Sequence, residues 1–202
     1  MGPLRHRKMG EFAAYHTGDK LFPIPTHLIG GNHEAHFHNE QFPTGGVLAP
    51  NLFAAGRVFE QRISGLRIAG VSGIHIEETY DVARPDQLPD CAEEGAINFL
   101  PWTGFTRAEI DIAKRSFVGA HILMLHDWPA HLLDFLDPYS IRGDVEKAVC
   151  LGNEPALELL IASKPDLLIC GHHHTFLSGR IFWRTGEVTQ VVCLDKIRPQ
   201  RQ

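Results

Sequence analysis

Three short apolar runs end abruptly in loops rich in glycine and histidine. Residues 26–29 run into Gly30-Gly31-Asn32-His33-Glu34, residues 121–125 into His126-Asp127-Trp128-Pro129, and Leu167–Cys170 into Gly171-His172-His173-His174. Apolar runs this short, bounded by turn residues, predict buried strands. Elsewhere the period lengthens. Residues 3–17 read as an amphipathic helix, with Met9, Phe12, Ala13 and His16 on one face and Gly18 as its stop. A short helix is predicted from Glu34 onward, where the carboxylate suits the N-terminal dipole. Val58–Ile63 and Leu66–Val71 flank Ser64-Gly65 and read as a hairpin. Helical spacing returns over 106–117, with Ile110, Ala113 and Phe117 on one stripe, and a short helix is expected within 142–151. Residues 153–163 carry the signals of a helix with defined ends: Asn153 as N-cap, Pro155 in the first turn, and Lys164-Pro165 as the stop. Residues 181–183 and 188–194 close the chain as a hairpin around Gly186.

Alternating strands and helices predict an α/β fold, and the hairpins predict a mixed sheet. Ligand residues just beyond the carboxyl ends of strands are the expected placement in an open α/β sheet. One stretch breaks the rhythm. Residues 77–94 hold Glu77, Glu78, Asp81, Asp86, Asp90, Glu93 and Glu94 against Arg84 alone, with two prolines, and read as a long solvated acidic loop.

Composition changes this picture little. The chain has 202 residues, 44% hydrophobic and 21% charged, ordinary for a soluble globular protein with a real core. The net charge of −5 argues against a general polyanion binder, though not against a local basic groove. The four cysteines are far apart in sequence with no Cys-x-x-Cys pair, so a disulfide framework is not expected and a reducing compartment is. No apolar run approaches the roughly 18 residues of a membrane span, so no membrane partner is expected. The unusual count is 13 histidines. Imidazole is the commonest side-chain metal ligand and titrates nearest neutrality.

The three strings concentrate that chemistry. The Asn32 side-chain carbonyl can ligate a cation without adding charge, and His33 beside it can act as an acid or charge stabiliser. The plain alternative is a turn asparagine next to a surface histidine. His126 taken alone reads first as a strand-end histidine bonded to backbone and second as a metal ligand, with Trp128-Pro129 fixing a turn and packing a wall beside it. On an extended backbone His172 and His174 point to one side and His173 to the other, so the pair suits one metal or two.

Taken in order, these strings resemble the calcineurin-like metallophosphoesterases, and within them the RNA lariat debranching enzymes. The similar strings are Gly30-Gly31-Asn32-His33-Glu34-Ala35, Pro43-Thr44-Gly45-Gly46-Val47-Leu48-Ala49-Pro50-Asn51, Gly70-Val71-Ser72-Gly73-Ile74, His126-Asp127-Trp128-Pro129, and His172 with His174. The resemblance covers residues 3–178. It implies a sandwich of mixed β-sheets flanked by helices, forming a single domain over 1–202. An acidic and aromatic insert would occupy 77–105, and a C-terminal hairpin and tail 179–202. It also implies two divalent metal ions, with Mn, Fe and Zn all compatible with the donors. Asn32, His126 and His172 would hold one metal, His174 would belong to the other, and His33 would sit beside the scissile phosphate. The implied reaction is in-line hydrolysis of a phosphodiester.

Two departures qualify what the resemblance implies. The family draws its remaining ligands from an Asp-x-His or Cys-x-His and a following Gly-Asp, upstream of the Asn-His pair. This chain has no Asp-x-His, its one Cys-x-His is Cys170-Gly171-His172, and Gly18-Asp19 and Gly143-Asp144 are misplaced. The expectation is an N-terminally truncated domain that lacks its first β-α-β segment. The second departure is the acidic 77–94 stretch, which stands where the debranching enzymes tend to carry an RNA-gripping insert and should repel a polyanion. Trp102, Phe105 and Arg107 could stack on a base there, but aromatic residues next to Pro101 are more often core or loop packing. Two readings stay open: a metal-dependent phosphoesterase acting on phosphate esters, RNA with a 2′,5′-linkage among them, or a catalytically impaired relative serving as a binding or scaffold domain. The expected location is cytoplasmic, or nuclear if the chain comes from a eukaryotic debranching enzyme.

Overall fold

The computed structural model describes residues 13–88 and 99–196. In chain order its first elements are α1 (Ala13–His16), β1 (Thr26–Leu28), α2 (His36–Asn39), β2 (Gly46–Ala49), β3 (Leu52–Ala54), β4 (Val58–Ile63), β5 (Leu66–Val71), α3 (Glu77–Tyr80), α4 (Leu100–Thr103) and α5 (Arg107–Ser116). There follow β6 (Ile122–Leu125), α6 (Leu132–Phe135), β7 (Arg142–Gly143), α7 (Val145–Ala148), α8 (Glu154–Ser163), β8 (Leu167–Cys170), β9 (Leu177–Phe182) and β10 (Val188–Cys193). The strands form two mixed sheets accompanied by helices, the α/β arrangement expected. The chain divides into two compact units, Met1–Phe59 with Val71–Ala113, and Glu60–Gly70 with Lys114–Gln202. Of the helix expected over 3–17 only the end, α1, lies within the described residues, and the 89–94 part of the acidic loop lies outside them.

The first unit holds a three-stranded sheet in the order β1-β3-β2, parallel between β1 and β3 and antiparallel between β2 and β3. Leu52, Ala54 and Ala55 lie in its buried interior. A second apolar cluster gathers Tyr80, Phe99, Trp102 and Phe105, with His75 stacked edge-on against Tyr80. Trp102 and Phe105 are 6% and 4% exposed, so they pack the interior and offer no stacking platform for a base.

In the described part of the acidic stretch Glu77, Glu78, Asp81 and Asp86 are exposed and residues 81–88 are irregular, but the stretch is anchored at points that the charge count did not mark. Its first residues form the short helix α3, and Tyr80 buries its ring edge-on to Phe105. Arg107 lies over the Tyr80 ring, 4.6 Å from its centre, and bonds the Asp81 carboxylate. Arg84 reaches Glu109 at 2.9 Å and donates to the Gly104 carbonyl at 3.0 Å. The charge count registered Arg84 but not the buried Tyr80 ring or Arg107 from α5, and these three side chains tie the exposed stretch to the unit beneath it.

A buried ion network runs beneath these anchors. Arg57 pairs with Glu40 at 2.7 Å and with Glu109 at 3.3 Å. It also donates to the carbonyls of Trp102 and Gly104. The nearby Arg84 guanidinium is held below its ordinary pKa, chiefly by burial and next by the Arg57 charge.

The second unit is built on the larger sheet, seven strands in the order β4-β5-β6-β8-β10-β9-β7. Its centre is parallel, β6 with β8 and β8 with β10, while β9 and β7 add antiparallel edges. Leu123, Leu168 and Val191 in those central strands are fully buried, which is why the runs read as almost continuously apolar. α8 packs on β6 and buries Leu159 and Leu160. Its ends match the expectation: Asn153 Oδ1 accepts from Ala156 N at 2.9 Å, and Lys164 ends the helix in a left-handed turn.

The terminal hairpin turns at Gly186, whose φ of +102° suits a residue without Cβ. Its first strand begins earlier than expected, at Leu177, because Leu177, Gly179 and Ile181 alternate inward while small Ser178 and Gly179 hide the period in the sequence. Parallel pairing also aligns Cys170 with Cys193 and brings their sulfurs to 3.2 Å as free thiols. Linear spacing suggested no such pair. Burial, followed by the Cys193 hydrogen bond, pushes the Cys170 thiol well above its ordinary range, so it stays protonated and unreactive.

Candidate metal centre

Adjacent parallel strands explain why the second and third strings meet. β6 and β8 pair in register from Ile122 with Leu167 to Met124 with Ile169, so the loops that follow leave the sheet side by side. Gly171 N donates to the His126 carbonyl at 3.1 Å and ties the two loops together. The His126 and His172 rings then lie 5.2 Å apart, centre to centre, and those of His172 and His173 4.6 Å apart. Trp128 is almost fully buried and stands edge-on to His173 at 5.6 Å, the wall expected of it, although beside His173 and not His126.

The backbone of the third string departs from expectation. His172 and His174 both have positive φ, +65° and +52°, so the segment is not extended and the alternation inferred for it does not apply. Consequently His173 does not turn away from the chemistry. Its Nε2 lies 3.1 Å from Asp127 Oδ1. Asp127, His172 and His173 place one ligating atom each within 4.8 Å of one another, and His174 is not among them but is exposed.

Asp127 is held rigidly. It is 7% exposed, Oδ1 accepts from Trp128 N at 2.9 Å, and Oδ2 accepts from Asn153 Nδ2 at 2.8 Å. Because Asn153 is also the cap of α8, one side chain joins a helix terminus to a carboxylate beside the histidines. Sequence reasoning gave Asp127 no role, turned His173 away from the metals and read Asn153 as a cap only. The available signal was the acidic residue directly after a strand-end histidine, but its partner is supplied by strand pairing.

The first string sits in the first unit. Asn32 is half-buried and His33 exposed, in the loop between β1 and α2. Burial raises the Glu34 carboxyl above its ordinary pKa, opposed in part by a bond from the Gly31 backbone. Two residues of the Gly-x-Ser-Gly-Ile string hold the start of this loop. Ser72 Oγ accepts from Gly30 N at 3.0 Å and donates to the Gly56 carbonyl at 2.7 Å. Gly73 N donates to the Gly30 carbonyl at 2.8 Å. Gly73 has φ +97°, and a Cβ there would stand 2.7 Å from the Thr103 carbonyl, so only glycine fits this close approach.

Ser72→Ala should therefore strand Gly30 N and the Gly56 carbonyl, costing about 1–3 kcal/mol in urea unfolding. A loss below about 0.5 kcal/mol would show that Ser72 does not hold the loop.

Imidazole nitrogen and carboxylate oxygen suit a borderline divalent cation, so the residues present fit a divalent metal ion. No helix among the described residues is long and apolar enough to cross a membrane.

The sequence model of the calcineurin-like phosphoesterases matches residues 4–176. Lariat debranching enzymes are among the similar proteins. The one from Arabidopsis thaliana is 30% identical, covering 99% of this chain and 49% of its own length. That of Schizosaccharomyces pombe is 32% identical over 86% of this chain and 38% of its own, and that of Mus musculus 29% over 98% and 38%. The chain thus spans roughly two-fifths to one-half of these relatives. With strand-end histidines gathered beside a buried carboxylate and a family model matching most of its length, the chain belongs to the calcineurin-like phosphoesterase family.

Proposed function

We propose that this chain carries a metal-dependent phosphoesterase activity, directed at phosphodiesters. The observation that carries the reading is the convergence of His126 and His172 at the ends of adjacent parallel strands, in a chain of this family. The family pattern assigns Asn32, His126 and His172 to one cation, His174 to a second, and His33 to the phosphate. When bound, divalent cations supply Lewis acidity at the phosphoryl oxygens and lower the pKa of water. Neutral imidazole and amide donors leave such cations strongly positive, which favours an anionic ester. His33, exposed and adjacent to Asn32, would donate a proton to the departing alkoxide oxygen. The relatives named lariat debranching enzymes support RNA with a 2′,5′-linkage as the substrate.

The test is hydrolysis of bis-(p-nitrophenyl) phosphate with Mn, Fe or Zn added in turn. Metal-dependent turnover is expected, and His33→Ala should lower it about 10²–10⁴-fold, the usual contribution of a positioned acid. Absence of turnover with every metal would favour the binding-domain reading. Unchanged turnover in the variant would remove His33 from the mechanism. Branched RNA should be cleaved faster than its linear counterpart, and equal rates would rule out debranching.

A further inference from the structure

We propose that Asp127 and His173 complete a cation site with His172, a ligand set that differs in composition from the one the family motifs assign. Those motifs use His172 and His174, and they give no part to Asp127 or His173.

The geometry separates a metal site from an ordinary Asp–His hydrogen bond. His173 Nε2 is only 3.1 Å from Asp127 Oδ1, yet it is a buried nitrogen with no hydrogen-bond partner among the described residues. Two polar atoms at this distance without a proton aimed between them is the arrangement of two ligands facing a shared cation. Donors at about 2.0–2.1 Å from a tetrahedral ion sit roughly 3.3 Å apart. A buried nitrogen left unsatisfied destabilises the fold, and a bound cation removes that cost. His172 supplies the third donor, all three ligating atoms lying within 4.8 Å.

The surroundings are built for the role. Both Asp127 oxygens are oriented by fixed donors, the Trp128 amide and the Asn153 side chain, and Asn153 is itself pinned at the head of α8. Outer partners of this kind hold a ligating carboxylate in one orientation. The Trp128 ring edge restricts the motion of His173. Two imidazoles and one carboxylate select Zn²⁺, Mn²⁺ or Fe²⁺ over the all-oxygen preference of Mg²⁺ and Ca²⁺, and three protein ligands leave a fourth position open. Every ligand comes from the second unit.

The experiment is a Co²⁺ titration of the full chain, followed by the visible d–d band and by calorimetry, in the wild type and in His173→Leu, His174→Leu and Asp127→Asn. The wild type should develop a band typical of nitrogen and oxygen donors. His173→Leu should weaken one class of Co²⁺ sites at least about tenfold. His174→Leu should leave that class intact. Asp127→Asn should weaken it as well; Asp127 is buried, so a circular-dichroism melt checks this variant, and His173→Leu decides the matter if Asp127→Asn fails to fold. Unchanged Co²⁺ affinity in His173→Leu, equal losses in His173→Leu and His174→Leu, or no Co²⁺ binding by the wild type would each overturn the proposal. Because the readout is binding, a chain that holds Co²⁺ through His173 yet hydrolyses nothing would sustain this site while refuting the phosphoesterase reading.

Discussion

His172→Ala should lower metal-dependent hydrolysis of bis-(p-nitrophenyl) phosphate on the order of 100-fold or more and reduce the bound metal. His172 is the one residue shared by the family's motif pattern and by the buried carboxylate–imidazole cluster. Its ring lies between those of His126 and His173, at 5.2 and 4.6 Å. Loss of a partner merely adjacent to a metal ligand typically costs 10–100-fold, so loss of the ligand itself should cost no less. The left-handed backbone at this position disfavours any residue with a Cβ, alanine somewhat more than histidine, so a circular-dichroism melt of the variant separates lost donor chemistry from added strain. Added imidazole should restore part of the activity. If the variant keeps more than about a third of wild-type turnover with full metal content, His172 is not a ligand.

Arg57→Met should be the most damaging single change to stability, about 3–5 kcal/mol in urea unfolding. The side chain is 9% exposed and contacts two carboxylates, Glu40 and Glu109, and two backbone carbonyls. Methionine matches its length but neutralises nothing. Glu109 retains Arg84 at 2.9 Å, whereas Glu40 loses its 2.7 Å partner while only 8% exposed. An uncompensated buried carboxylate is the largest part of the expected cost. Arg57→Met with Glu40→Leu should recover a good share of the loss, since removing both charges removes the unpaired one. A single-variant loss below about 1 kcal/mol would show that the network is hydrated and energetically slight.

Both predictions depend on contacts that differ in how readily the sequence discloses them. Asn153 and Pro155 announce the start of α8, and the structure places the cap bond where the residue types demand it. The three apolar runs announce β1, β6 and β8 by composition alone. By contrast, Arg57 sits in no recognisable pattern, and its partners come from the α2 end, α4 and α5, which no local rule connects to it. In the acidic stretch, counting charges says nothing of what a single buried tyrosine and two arginines anchor.

The sequence by itself determined several local features of this protein: the ends of α8, the apolar runs of β1, β6 and β8, the α/β class, and the strings that mark the family. Those signals are carried by steric and hydrogen-bonding preferences within a few residues, which act before the chain folds. Only the tertiary structure decided which strands lie side by side, because pairing is settled by burial of whole sheet faces and not by local propensity. That pairing brought Cys170 to Cys193 and the His126 loop to the His172 loop. It also decided that His172 and His174 take left-handed backbones, which placed His173 beside Asp127 and gave the third string a different chemistry from the one its spacing suggested.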